Sequence, residues 1–490
     1  MGNSSFLSKS KYLHGRQCSK LLWYEYHRKS DIPSPEPAIQ FAFDEGHRVG
    51  DLAQKLFPGG LTVPRDWEPL KQHEKSLSLL AKRLPLFEAG FVFGQAYALA
   101  DILAPVDDDA WDLIEVKSGT SVKEEHYHDV AFQRYVYEGA GVKIRHCYIY
   151  YVNKEYVRRG EIIPEQFFAK RDITMETQVL AGQVPKALEA VLKVVDSSEM
   201  PEIKVGPHCD SPHHCPLSDI CWQVLPSEDD IFSLHSGGSK SWELWDAGVN
   251  RLTDIPENYE LNYRQIIQVA AHKSGQPYID RQLIKEFLAQ LRYPLFFLDF
   301  ETISTAIPLY EGLSPYQPVP FQYVVYRQES ETAKPEHFSF LSPDGDDPRL
   351  RVLAQLKELF GEEGSVIAYS AQFEKSRLKT AAQAFPEYRE WVERLLDRFV
   401  DLLEPFQKFY YYHPAQKGRA SLKNVLPALT GRGYGSLEIA EGGSAAAEFY
   451  RTTFGNVSQE ERQKVRLALE IYCDQDTHGM VEILNFLRGL

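Results

Sequence analysis

Apolar and polar positions change their period several times along this chain. Between Gly90 and Gly119, in GFVFGQAYALADILAPVDDDAWDLIEVKSG, the pattern predicts two strands joined by the tight acidic turn PVDDD. The next stretch, EEHYHDVAFQRYVYEGAG, has the spacing of a helix. Further on, PLFFLDFETIS predicts a buried strand, and SVIAYSAQFEKSRLK predicts strand, turn and the start of a helix. The segment from Ser458 onward reads as one long helix, opened by a capping box between Ser458 and Glu461.

These patterns divide the chain. Residues 1–225 mix helices with a few strong strands, and the polar, glycine-bearing stretch LPSEDDIFSLHSGGSKSWELWDAGV marks a boundary. Residues 226–292 form a short helical linker, and 293–490 open on a strand and close on the long helix. No internal repeat or low-complexity tract is visible. A chain of 490 residues exceeds one hydrophobic core, so more than one domain is expected. The fold class expected is α/β.

Hydrophobic residues at 43% and charged residues at 25% describe an ordinary globular balance. No apolar run approaches the ~20 residues that span a bilayer, and MGNSSFLSKSKYLHG lacks the apolar stretch of a signal peptide. A cytoplasmic location without membrane contact is expected. The net charge of −15 argues against a protein that coats nucleic acid, but carboxylate-lined sites fit it. From Ala415 to Leu437 the chain holds Lys417, Arg419, Lys423 and Arg432. That stretch is a basic patch or a plain solvated loop.

Glu115 and Lys117, two apart on a strand, share a face, and Asp101 at the end of the preceding strand can lie beside them. Two carboxylates at this spacing suit Mg²⁺ or Mn²⁺, with Lys117 orienting a water. Gln133 and Tyr137, one helical turn apart, can reach the same place or a bound strand.

Cys209, Cys215 and Cys221 stand at equal spacing in HCDSPHHCPLSDICW, with Cys18 far upstream. Four thiolates suit a 4Fe–4S cluster or tetrahedral zinc, the latter with His208, His213 or His214 as possible ligands. Either would tie the two ends of the first region together. Cys147 and Cys473 lie in apolar surroundings and are expected to be core residues.

A second constellation begins at Asp299 and Glu301, which share a face of an apolar strand. Carboxylates in such a run are costly unless they meet metal or water. Glu374 follows, and Tyr472 and Asp476 share a face of the last helix. Asp299, Glu301, Glu374 and Asp476 can hold two divalent metals ~4 Å apart, with Tyr472 positioning a water. Asp474 competes with Asp476 but faces away from Tyr472.

Asp101, Glu115-Val-Lys117 and Gln133 with Tyr137 resemble the PD-(D/E)XK core of RecB-like exonucleases, in particular the CRISPR-associated RecB-like group and the AddB nuclease domain. The resemblance implies a restriction-endonuclease-like fold over residues 1–225, and the cysteines resemble the iron–sulfur staple of those nucleases. One departure stands out. The family's metal-binding histidine follows a glycine in an early helix, and here Gly46-His-Arg-Val-Gly50 puts glycine at that position with His47 out of register.

Asp299, Glu301, Glu374, Tyr472 and Asp476 resemble the DnaQ-like DEDD exonucleases of the Tyr-x3-Asp subtype, which implies a ribonuclease-H-like fold over 293–490. Glu374 stands where that family has aspartate. Between them, LHSGGSKSWELWDAGVNRLTDIP resembles a helix-hairpin-helix with Gly237-Gly238 in the hairpin, or is a plain linker. The succession of parts resembles a bacterial family described only as a domain of unknown function. The expectation is a metal-dependent nuclease acting on DNA in repair, recombination or defence. The alternatives are a nucleic-acid-binding scaffold with one inactive fold, or an exonuclease that processes RNA from its 3′ end.

Overall fold

The computed structural model describes residues 6–490, so part of the stretch read for a leader lies outside the described residues. Two compact units emerge. The first runs to Trp222 and also takes in Thr305–Gln317; the second holds Gln223–Ser304 and Pro318–Leu490. Both are mixed α/β, and no helix among the described residues is long and apolar enough to cross a membrane.

In the first unit a mixed sheet is built on three antiparallel strands, Leu86–Phe93, Ala96–Val106 and Ala110–Lys117. Two strands were expected there. Gly94, at φ +57°, turns the chain between the first two, a conformation that costs glycine little. Asp101 therefore sits in mid-strand rather than at a strand end. Lys143–Val152 pairs parallel with Ala110–Lys117, after a crossover through the helix Glu124–Gly139. That helix buries Val130, Phe132, Val136 and Tyr137 against the sheet. The helix Lys9–Gln17 adds Tyr12, whose ring stacks on Phe132.

Thr305–Gln317 is tied into this unit by polar contacts. Arg158 Nη1 donates to the carbonyls of Pro308 at 2.8 Å and Leu309 at 2.6 Å. Tyr316 donates its hydroxyl to the Ser118 carbonyl at 2.7 Å, and the Ala306 amide donates to Glu45. Ala306 itself is fully buried in a cluster with Val49, Leu52, Val152, Tyr156 and Phe167.

The second unit contains a five-stranded sheet with Leu295–Ile303 at its centre. Val319–Gln328 and then Glu336–Leu341 extend it antiparallel on one side; Ser365–Ala368 and Phe399–Asp401 extend it parallel on the other. The last helix, Gln459–Arg488, is continuous as expected and packs on the central strand. Its cap is only half a capping box. Ser458 accepts from the Glu461 amide at 3.1 Å, but the Glu461 carboxylate turns to Arg451 at 2.7 Å.

Residues 226–292 cluster with this second unit. Tyr278–Ile279 pairs with Tyr411–Tyr412, and Ile267 and Ala271 pack against Phe409 and Tyr412. The segment compared with a helix-hairpin-helix is one α-helix, Ser239–Asp246, between the 3-10 turns Ile231–Ser233 and Leu252–Asp254.

Candidate functional site

The antiparallel meander of the first unit brings Asp101 and Glu115 together, because their strands are neighbours. Asp101 Oδ2 accepts the Val116 amide at 2.6 Å. Glu115 is buried and its oxygens are already engaged. Oε1 receives Lys117 Nζ at 2.7 Å and Lys9 Nζ at 2.8 Å, and Oε2 receives Gln133 Nε2 at 2.6 Å. Asp129 closes the cluster, with Lys9 3.0 Å from Oδ1 and Lys117 near Oδ2 at 2.5 Å.

Lys9 and Asp129 were not foreseen. Asp129 stands one turn before Gln133 on the same helical face, a spacing that was available in the sequence. Lys9 comes from the first helix and carried no local signal. Burial alone would raise the Glu115 carboxyl, but Lys117 and Lys9 hold it well below the usual range. Asp101 is pushed up to about 8, by burial first and by Glu115 next. Against the cost of burial, Asp129 and Glu115 hold both lysines above the usual range.

Tyr137 does not join this group. Fully buried, it donates its hydroxyl to the Ala89 carbonyl and braces the neighbouring strand. Gln133 is equally buried, so it orients Glu115 and is out of reach of a bound strand. His47 is exposed on the helix Pro37–Gln54, and a side chain added at Gly50 would meet nothing within 4 Å.

The four cysteines Cys18, Cys209, Cys215 and Cys221 line one cavity with Lys20, Lys204 and His208. The amides of Lys20 and Leu21 point at the Cys18 sulfur, and that of Leu217 at the Cys215 sulfur. His213 and His214 lie outside this lining; His214 is held by Asp210 at 2.6 Å and Ser218 at 2.7 Å. Burial pushes the Cys215 thiol up to about 11.

In the second unit the central strand supplies Asp299 and Glu301, and the last helix packed on it supplies Tyr472, Cys473 and Asp476. Glu374 enters from the first turn of the helix Gln372–Ala384. Asp299, Glu301 and Cys473 each offer a ligand atom within 4.8 Å of the other two. Among the described residues this is the one such grouping of three His, Cys, Asp or Glu. Cys473 is buried as expected, yet it lies at this site rather than only in the core. Its thiol donates to Asp299 Oδ2 at 3.7 Å.

Burial raises all four carboxyls, and repulsion between carboxylates adds to it at Asp299, Glu301 and Glu374. Asp299 lies well above its usual range, through burial and then Asp476; Glu301 and Glu374 do so through burial and then Asp299. Asp476 is pushed up to about 6 by burial, against the pull of Tyr434, Lys423 and Tyr472. Tyr434 donates its hydroxyl to Asp476 and was not foreseen. Lys423, from the basic stretch, stands over the rings of Tyr434 and Tyr472 at 5.6 and 5.5 Å. Glu374 Oε2 is buried without a hydrogen-bond partner. Asp474 faces the other way, accepting from Tyr326 at 2.7 Å.

Residues 296–421 match a family described as a domain of unknown function, DUF2779. The match covers Asp299, Glu301 and Glu374 and stops short of the last helix. An uncharacterized protein of Mycoplasma genitalium is 26% identical over 213 residues, 40% of this chain and 32% of its own length. An uncharacterized protein of Ureaplasma parvum is 24% identical over 229 residues, 43% of this chain and 33% of its own. The matched part is thus about a third of either relative.

Proposed function

We propose that this chain is a metal-dependent phosphodiesterase that degrades nucleic acid, with DNA the favoured polymer. The second unit reads as a DnaQ-like, ribonuclease-H-like exonuclease and the first as a RecB-like PD-(D/E)XK domain. The observation that carries the proposal is the convergence of Asp299, Glu301, Glu374 and Asp476 from three elements, with one Glu374 oxygen buried and unpartnered. So many buried carboxylates repel one another, and a bound cation removes that penalty. The strand order, with antiparallel strands on one side of the central strand and parallel ones on the other, suits the ribonuclease-H-like reading.

Asp299, Glu301, Glu374 and Asp476 would hold the divalent cations, which when bound would supply Lewis-acid stabilisation of the phosphate and make a bound water easier to deprotonate for attack. The chain's own part is positional. Tyr434 fixes Asp476, Tyr472 stands beside the carboxylates to orient a water, and Lys423 offers positive charge to a phosphate.

For the first unit a second reading has its own support. Glu115 is saturated by two lysines and a glutamine, which favours a fold that binds nucleic acid without cutting it. Cleavage of end-labelled single- and double-stranded DNA and RNA by the full chain, with Mg²⁺ or Mn²⁺, tests both. Asp299→Asn abolishing 3′-end degradation supports the exonuclease; a wild-type chain that cuts neither polymer overturns it. Residual cleavage that Glu115→Gln removes would make the first site catalytic. Preference for RNA would leave the chemistry and change the substrate.

The cysteine cavity, lined by all four thiols, suits a 4Fe–4S cluster, with zinc as the alternative because His208 Nε2 stands 3.9 Å from Cys209 Sγ. Chain purified without oxygen should be brown, with about four irons; a colourless protein with one zinc overturns this.

A further inference from the structure

The second site contains a donor that a set of oxygen ligands does not need. Cys473 is fully buried on the last helix, one residue after Tyr472 and three before Asp476, and its sulfur is directed at the strand carboxylates. From the geometry we infer that Cys473 is a metal ligand beside Asp299 and Glu301, so this position takes a thiophilic divalent cation, zinc foremost, in preference to magnesium. The inference rests on the second site being a metal site, as proposed above.

Bond lengths carry it. A zinc-type cation holds sulfur at ~2.3 Å and carboxylate oxygen at ~2.1 Å; at the tetrahedral angle those donors stand ~3.6 Å apart. Cys473 Sγ and Asp299 Oδ2 are 3.7 Å apart, and the Glu301 ligand atom completes a triad within 4.8 Å. The unpartnered Glu374 Oε2 independently marks the cluster as short of a cation. Magnesium demands oxygen ligands in near-octahedral array, whereas thiolate selects the softer metals. On binding, the thiol loses its proton to water as the metal–sulfur bond forms, so no oxidant or reductant is involved. Without metal, the same thiol hydrogen-bonds to Asp299.

The test is titration of the full chain with Co²⁺ as a zinc surrogate. Wild type, Cys473→Ser, Cys473→Ala and Asp299→Asn are followed by visible and near-ultraviolet absorption. The four-cysteine cavity is present in all four, so difference spectra isolate the second site. Unchanged circular dichroism and melting temperature guard against misfolding of either cysteine variant.

The expected result is a thiolate-to-cobalt charge-transfer band in wild type that both cysteine variants lack. Both should also lose Co²⁺ and Zn²⁺ affinity by at least the ~10–100-fold that changes outside the direct ligands cost, with Mg²⁺ affinity unchanged. Equal affinity and no band difference, with Co²⁺ still bound at the carboxylates, would overturn Cys473 as a ligand and leave the metal site standing. If Asp299→Asn binds as much Co²⁺ as wild type, the carboxylate site itself is wrong, and the inference falls with it.

Discussion

In the first unit Glu115 receives two ammonium groups and a carboxamide within 2.8 Å, and Asp129 shares the same lysines. In the second unit four carboxylates gather with tyrosines and a thiol, and Lys423, whose charge acts on Glu301 and Asp476, donates to the Ala440 carbonyl at 2.6 Å. Both sites began as the same kind of sequence signal, acidic residues on apolar strands. What separates them is the source of neutralising charge. The first carries its cations as side chains, Lys9 and Lys117 on one Glu115 oxygen; the second has charge left for a cation to neutralise.

The sharpest way to break this comparison is Asp299→Asn. It should cut 3′-end degradation by on the order of 10³-fold, the upper scale for losing one electrostatic group at a reacting centre. The same change should raise the melting temperature of the metal-free protein, because one of the repelling carboxylates is gone. Glu115→Gln should do the reverse to stability. It leaves Asp129 alone to balance Lys9 and Lys117 at this half-buried place and should cost stability in urea unfolding, toward the lower end of ~3–5 kcal/mol. Equal stability of both variants would erase the distinction between the sites. Tyr472→Phe should slow degradation by ~10²-fold, the scale of one positioned proton-handling group, with metal affinity kept.

The smallest effect expected is on pH. Asp476, held at about 6, and Asp101, held at about 8, retain protons in the folded chain that the unfolded chain has released. The stability these two groups contribute to the metal-free protein therefore falls as pH rises from about 5 to 8. His73, His126, His128, His272 and His413, which burial holds low, act with the opposite sign up to 6.5. Glu115, held low, acts with opposite sign only in acid, below this window. Melts in chelator at pH 5 and 8 check the slope, and Mn²⁺ should flatten it. A slope that Asp476→Asn and Asp101→Asn leave unchanged would show the carboxylates are not strained.

The second site was the more legible of the two because its pieces are periodic. Asp-x-Glu on a strand and Tyr-x3-Asp on a helix each align by spacing, and packing of that helix on that strand does the rest. The first site depends on Lys9, which lies 106 positions from Glu115, and no periodicity connects them. Tyr137 shares a helical face with Gln133, but the pattern could not say that its hydroxyl would be taken by a strand carbonyl. Cys473 was legible as buried, but its place beside Asp299 and Glu301 was not, since an apolar neighbourhood in sequence does not say which side chains a buried residue meets. The strand break at Gly94 was missed because the apolar alternation continues across it.

The passage of Thr305–Gln317 into the first unit sets terms for anyone who would cut this gene. The chain passes from one unit to the other after Trp222, after Ser304 and after Gln317. A truncation at residue 222 would leave Glu45 and Arg158 without their backbone partners and an empty place where Ala306 packs. A product starting at 293 would likewise lack the strand that pairs with Tyr411–Tyr412. A silent truncated protein would therefore report on missing structure rather than on catalysis. Point substitutions in the whole chain can separate the two candidate sites; scissors cannot.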